Sequence, residues 1–181
     1  HGDSVFDFGK KNPVFGATFN NAMTSFSAMV GETVAQAYDF SGVKKLVDVG
    51  GGHGTLLAAI LAKNPNIRGV LFDLPHVVKE GAELIQKRGL SGRVTVQPGS
   101  FFESAPAGGD VYLLSHIIHD WSEGQCLTIL GHCRRVLKPG GLFFVDTAFM
   151  QPLHGDPDHF FNMTMSGLRR VLEGFEIVDI G

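Results

Sequence analysis

Residues 45–54 read KLVDVGGGHG: a short apolar run, Lys45–Val49, delivered straight into Gly50-Gly51-Gly52-His53-Gly54. The Ala- and Leu-rich stretch 55–63 (TLLAAILAK) follows with helical character, and Asn64-Pro65 stops it. A second apolar run, 67–72, ends in Asp73, about twenty residues beyond the glycines. Strand, glycine turn, helix, strand and acid in that order form a nucleoside-binding α/β unit.

Working outward, residues 76–88 read as a helix, 94–96 as a third strand and 111–114 as a fourth, which ends in the polar cluster 115–120. Ser122 with Gln125 has capping-box spacing, and Trp121 and Cys126 sit at staple positions. Cys126, Ile129, Leu130, Cys133 and Leu137 make an apolar helical stripe. Lys138-Pro139-Gly140-Gly141 turns the chain into a fifth strand, 142–145, ending in Asp146. A loop is expected at 150–157, a short helix at 168–173 and a sixth strand at 175–180. Upstream, Phe19, Met23, Phe26, Val30, Val34 and Ala37 recur at intervals of three and four, one face of a helix that 40–42 breaks. Alternating strands and helices predict an α/β fold, a mostly parallel sheet with helices on both faces.

The glycine turn selects among nucleosides. A dinucleotide loop reads G-x-G-x-x-G, but the sixth position from Gly50 is Thr55, and no Gly-Lys-Ser/Thr follows to cradle a triphosphate. The pattern is G-x-G-x-G preceded by Asp48, and a carboxylate there repels a pyrophosphate and suits a cation. S-adenosylmethionine carries a sulfonium, an amino group and a ribose, and no phosphate. Charge therefore favours it over NAD, FAD or ATP. Asp73 at the end of the second strand is placed to accept from ribose hydroxyls.

In parallel sheets ligands sit beyond the carboxyl ends of the strands. The fourth strand delivers Ser115, His116, His119, Asp120 and Trp121 to that edge, and the fifth delivers Asp146. A neutral imidazole is suited to take a proton from a hydroxyl, and a carboxylate fixes its tautomer. His119 with Asp146 fits that pairing. His116 shares strand alternation with Tyr112 and Leu114 and reads as a packed side chain. His53, His76 and His132 lack an acidic partner at metal-ligand spacing, and Cys126 and Cys133 read as core, so no metal site is expected. No G-x-S-x-G elbow is present.

The whole chain of 181 residues has a net charge of −3 and scattered basic pairs, against a nucleic-acid footprint. No apolar run reaches the ~18 residues of a membrane span. Two cysteines cannot build a disulfide framework, so a reducing, cytoplasmic setting is expected. Asn162-Met163-Thr164 matches a glycosylation sequon and carries little weight without a secretion signal.

Residues 46–54 (LVDVGGGHG), 71–78 (LFDLPHVV), 118–121 (IHDW) and 137–141 (LKPGG) together resemble the S-adenosylmethionine-dependent small-molecule O-methyltransferases of the plant caffeic-acid type and their bacterial natural-product relatives. The likeness runs from about Phe15 onward. It implies a Rossmann-like class I methyltransferase sheet, with S-adenosylmethionine as donor and S-adenosylhomocysteine as product. It implies that Gly50 and Gly52 line the methionine moiety, that Asp73 holds the ribose, that the stretch 99–102, with Ser100 and Phe101, flanks the adenine, and that Asp48, Leu74 and Ser115 also bind the donor. His119 aligns with the catalytic base and Asp146 with the acid, usually Glu, that orients it. The acceptor is then a small hydroxyl compound, phenolic or enolic, handled without a metal. Departures are Ser100 for the usual Asp, Ser115 where many relatives have Lys, and the shorter Asp146. The family pattern also expects an N-terminal helical dimerisation domain, so residues 1–41 read as a linker and helix leading from it and 42–181 as the donor-binding catalytic domain. A Gly-Gly-x-Glu-Arg stretch is expected between Met165 and Ser166, and a last antiparallel strand after Gly181. The parent polypeptide is thus expected to be longer and a homodimer. Competing readings are an N- or C-methyltransferase, a catalytically silent cofactor-binding or dimerising protein, and a nicotinamide oxidoreductase.

Overall fold

The apolar run that opens the glycine turn becomes the central strand of a parallel sheet. The computed structural model describes residues 8–9, 11–146, 172 and 176. The loop, helix and sixth strand expected beyond 150 lie outside the described residues, save Leu172 and Glu176. The strands are β1 (Lys45–Val49), β2 (Arg68–Asp73), β3 (Val94–Pro98), β4 (Val111–Ser115) and β5 (Leu142–Asp146). Their order is β3-β2-β1-β4-β5, and every pairing is parallel. The helices are α1 (Pro13–Ala37), α2 (Thr55–Lys63), α3 (Pro75–Lys87) and α4 (Glu123–Val136), with a 3-10 turn at Ile118–Asp120.

Side chains alternate across each strand, so a sheet buried on both faces must be apolar almost throughout. Leu46, Leu71 and Leu113 face one core with Leu57 and Ile60 of α2 and Val78 and Ile85 of α3. Val47, Val49, Phe72, Tyr112 and Leu114 face the other, with Cys126, Ile129, Leu130 and Cys133 of α4. The expected α/β architecture with two covered faces is therefore the observed one. Burial pushes the two thiols up, Cys126 to about 11 and Cys133 to about 12, consistent with inert core residues.

α4 begins as its sequence requires. The Ser122 backbone N–H donates to Gln125 Oε1 at 3.0 Å, which also takes the Ser122 hydroxyl at 2.8 Å. α1 starts earlier than its apolar face suggests, because Pro13 is preorganised for a first helical turn whatever the periodicity. Arg93 gathers the loop between α2 and β2, donating to the carbonyls of Leu61, Asn64, Pro65 and Ile67. Asp110 accepts from the Lys44 and Lys45 backbone and from Lys138 Nζ, which aligns the entries of β1 and β5 on β4.

The sheet order reverses at β1, which pairs with β2 on one side and β4 on the other. Chain connections leave in opposite directions there, so a crevice opens beyond the carboxyl ends of β1 and β4. Among the described residues, the buried polar side chains are Asp48, Thr55 and His119, each on a segment that leads into that crevice.

Candidate active site

The glycine turn is shaped by what it must not carry. A Cβ on Gly51 would lie 2.6 Å from the Asp48 carboxyl carbon and 2.7 Å from Leu71. Gly52 has φ +57, and none of the described residues lies within 4 Å of where its Cβ would be. One glycine therefore packs against the acid beneath it, and the next presents bare backbone to open space. The turn is stitched to β2: Gly50 N–H donates to the Phe72 carbonyl at 2.8 Å, and Gly52 N–H to Asp73 Oδ2 at 2.8 Å. Leu74 N–H donates to Asp73 Oδ1 at 2.7 Å. A carboxylate has about four acceptor sites, so each Asp73 oxygen keeps capacity for a further donor.

A cavity of about 470 Å³ opens over this turn. Asp48, Gly50, Gly52, Asp73, Leu74, Ser100, Phe101 and Ser115, the residues expected to hold the donor, all line it. The structure thus gathers side chains from the ends of β1, β2 and β4 and the loop after β3 around one space. α1 supplies a further wall that sequence reading did not assign: Phe15, Phe19, Met23, Thr24 and Ser27. The signal was present, since Phe15, Phe19, Met23 and Ser27 recur every four residues and so share one helical face.

The wall's charge is one-sided. It carries Asp48, Asp73 and Asp120 with His53, His76 and His116, and among the described residues neither Lys nor Arg. Asp48 is 2% exposed, and its Oδ2 has no hydrogen-bond partner among the described residues. Burial first, then the neighbouring Asp73 charge, push Asp48 up to about 7, while the Leu57 backbone N–H holds it down. Burial also raises Asp73, against the pull of the Leu74 and Gly52 amides and the nearby His76 and His53 rings. An uncompensated buried carboxylate beside open backbone fits a cationic, phosphate-free group. The residues therefore suit the sulfonium and amino groups of S-adenosylmethionine and disfavour a pyrophosphate.

The histidines are not arranged as strand alternation implies. β4 ends at Ser115, and His116 adopts φ +55, a left-handed conformation rare for a residue with a side chain. That breaks the alternation, and His116 lines the cavity instead of packing in the core. His119, on the 3-10 turn, is 6% exposed and is not among the lining residues. Its ring meets that of His116 edge to face, centroids 5.7 Å apart, and its Nε2 lies 3.3 Å from Asp120 Oδ1. Asp146 closes β5 in register with Ser115, but its side chain, and with it the expected pairing to His119, lies outside the described residues. Phe101, Phe102 and Trp121 form an edge-to-face cluster at the same rim, with centroids 4.8–5.8 Å apart. His53 has the acidic partner that its spacing did not reveal: Glu80 of α3, at 2.9 Å.

The family model described as the O-methyltransferase domain matches residues 1–168. A 3-amino-4-hydroxybenzoate 4-O-methyltransferase from Streptomyces cremeus is 43% identical over 145 residues, 80% of this chain and 40% of that protein. An aclacinomycin 10-hydroxylase from Streptomyces purpurascens is 39% identical over 172 residues, 90% of this chain and 45% of that protein. The solved structure of an O-methyltransferase from neocarzinostatin biosynthesis, in complex with S-adenosylmethionine and 2-hydroxy-5-methyl naphthoic acid, superposes with a TM-score of 0.75 at 34% identity, over 80% of this chain and 44% of that one. The chain spans less than half the length of these relatives.

Proposed function

The chain belongs to the O-methyltransferase domain family, and from that premise we propose that it forms the donor-binding and catalytic part of an enzyme that methylates a hydroxyl of a small aromatic or polyketide-like acceptor. The observation that carries this reading is the cavity wall: a buried, unpartnered Asp48 oxygen beneath an open glycine turn, with no lysine or arginine among the described lining residues. When bound, S-adenosylmethionine supplies an electrophilic methyl group on a sulfonium.

In this reading Asp73 accepts from the ribose hydroxyls with its remaining lone pairs, and the backbone of Gly50 and Gly52 lets the methionine portion approach. Leu74, Ser100 and Phe101 flank the adenine, and Ser115 donates at the rim. Asp48 balances the positive charge of the donor. His119 takes the acceptor's proton, and its imidazolium is stabilised by a carboxylate, Asp146 in the expected arrangement. A phenol titrates near ~10, so a neutral imidazole assists its ionisation without a metal. Holding the acceptor oxygen against the methyl group supplies much of the acceleration.

The test is kinetic. His119→Ala lowers turnover by about a hundredfold or more, while affinity for S-adenosylhomocysteine stays within about threefold. Asp73→Ala instead weakens that affinity by roughly 1–3 kcal/mol, the cost of a charged hydrogen bond. Equal effects of both variants on binding contradict the roles. The cavity favours one second reading, in which His116 is the base because its ring lines the space; His116→Ala then carries the turnover defect and His119→Ala does not. Product analysis with labelled methyl donor separates oxygen from nitrogen or carbon transfer. An oxygenated, unmethylated product would instead align the chain with its hydroxylase relative.

A further inference from the structure

His53 is held at both ring nitrogens. Nδ1 lies 2.7 Å from the Thr24 hydroxyl of α1, and Nε2 lies 2.9 Å from Oε2 of Glu80 on α3. The His53 side chain is 12% exposed and that of Glu80 53%, so the inner contact is sheltered and the outer one is wet. The carboxylate of Glu80 only accepts, which fixes Nε2–H as the donor in the neutral ring. Nδ1 then accepts from the Thr24 hydroxyl. His53 itself sits between Gly52 and Gly54, both in left-handed backbone, and the Gly52 N–H is the one bonded to Asp73.

These contacts join three separate walls of the cavity. α1 precedes the sheet and packs on α2, where its Gly31 meets Ala59. Thr24 follows Met23 and lies about a turn from Asn20 and from Ser27, so fixing Thr24 fixes the rotation of the wall that α1 presents. The glycine turn and Asp73 form the second wall, and α3 the third.

We propose that His53 is a positioning residue that latches α1 to the glycine turn and to α3, holding the α1 wall over the donor. This rests on the donor reading above, and it assigns His53 no contact with reacting atoms. Thr24→Val removes the hydroxyl at constant shape, and Thr24→Ser keeps it. In the full chain, Thr24→Val and His53→Ala each raise the dissociation constant for S-adenosylhomocysteine and KM for the donor about three- to tenfold, the worth of one hydrogen bond, with kcat within about twofold. Thr24→Ser restores wild-type values. The double variant Thr24→Val with His53→Ala is no worse than His53→Ala alone, since both remove the same contact. In the unliganded protein, amide exchange around residue 24 of α1 quickens in Thr24→Val and not in Thr24→Ser.

Unchanged binding in both single variants, a lowered Tm with unchanged KM, or additive effects in the double variant would overturn the latch. A wild-type chain that failed to bind S-adenosylhomocysteine would overturn the donor reading instead, and the exchange comparison would still decide on the latch.

Discussion

Asp48 is the residue on which the proposed donor site turns. Its raised value, about 7, lies above the ~3.9 of an unfolded aspartate. The folded, unliganded chain therefore holds a proton that the unfolded chain has lost between about pH 4 and 7. Stability from this group is full below the unfolded value and is lost as pH rises through 7. Asp48→Asn is expected to flatten that fall and to raise the Tm of the unliganded protein at pH 8. A cationic donor acts the other way, since it favours the carboxylate and expels the proton. Below pH 7, binding of S-adenosylmethionine should release a proton, measurable by calorimetry in buffers of different ionisation enthalpy. Asp48→Asn should abolish the release and weaken binding; unaltered release in that variant would remove Asp48 from the site. Asp48 and Asp73 were legible in sequence because Asp48 interrupts the apolar run of β1 and Asp73 closes that of β2, places where an acid has no structural reason to be. His116 was misread because a single left-handed dihedral redirects a side chain, and no period in the sequence encodes it.

At the scale of elements, the glycines divide by what surrounds them. Gly51 has no room for a methyl group against the Asp48 carboxyl and Leu71, so Gly51→Ala must displace the turn from β2. We expect it to cost about 1–3 kcal/mol of stability by overpacking and to weaken donor binding, read by urea unfolding and titration. Gly131, within α4, has none of the described residues within 4 Å of its Cβ position. Gly131→Ala should stabilise by about 0.5–1 kcal/mol, the helix-propensity difference, with kinetics unchanged. A destabilised Gly131→Ala protein would contradict this account of α4. The element pattern was readable with small errors at the ends: β1 and α2 match their sequence spans, and α3 starts one residue earlier, at Pro75. The early start of α1 was not readable from periodicity, because a proline can begin a helix before the apolar face is established.

For the molecule as a whole, the reversal of strand order at β1 is what converts separate strand ends into one cavity. Among the described residues no group of three His, Cys, Asp or Glu could hold a metal ion, and no helix is long and apolar enough to cross a membrane. The proposed base-assisted transfer needs no metal, so activity should survive EDTA within about twofold. Loss of activity on chelation, restored by magnesium, would replace the imidazole mechanism with a metal-assisted one. The α1 face that lines the cavity also carries Phe15 and Met23, 39% and 44% exposed, so that side of the cavity is only partly walled by the described residues.

The sequence by itself determined the α/β class, the glycine turn, the acid within β1 and the acid that closes β2, and the expectation of a cationic nucleoside, because these depend on local period and on charge close in the chain. Only the tertiary structure decided that α1 is a wall of the same cavity, that His116 and not His119 lines it, and that His53 meets both Thr24 and Glu80. Those contacts join residues 27 to 29 positions apart on different elements, or hang on one backbone angle. Neither leaves a repeat for a linear reading to detect.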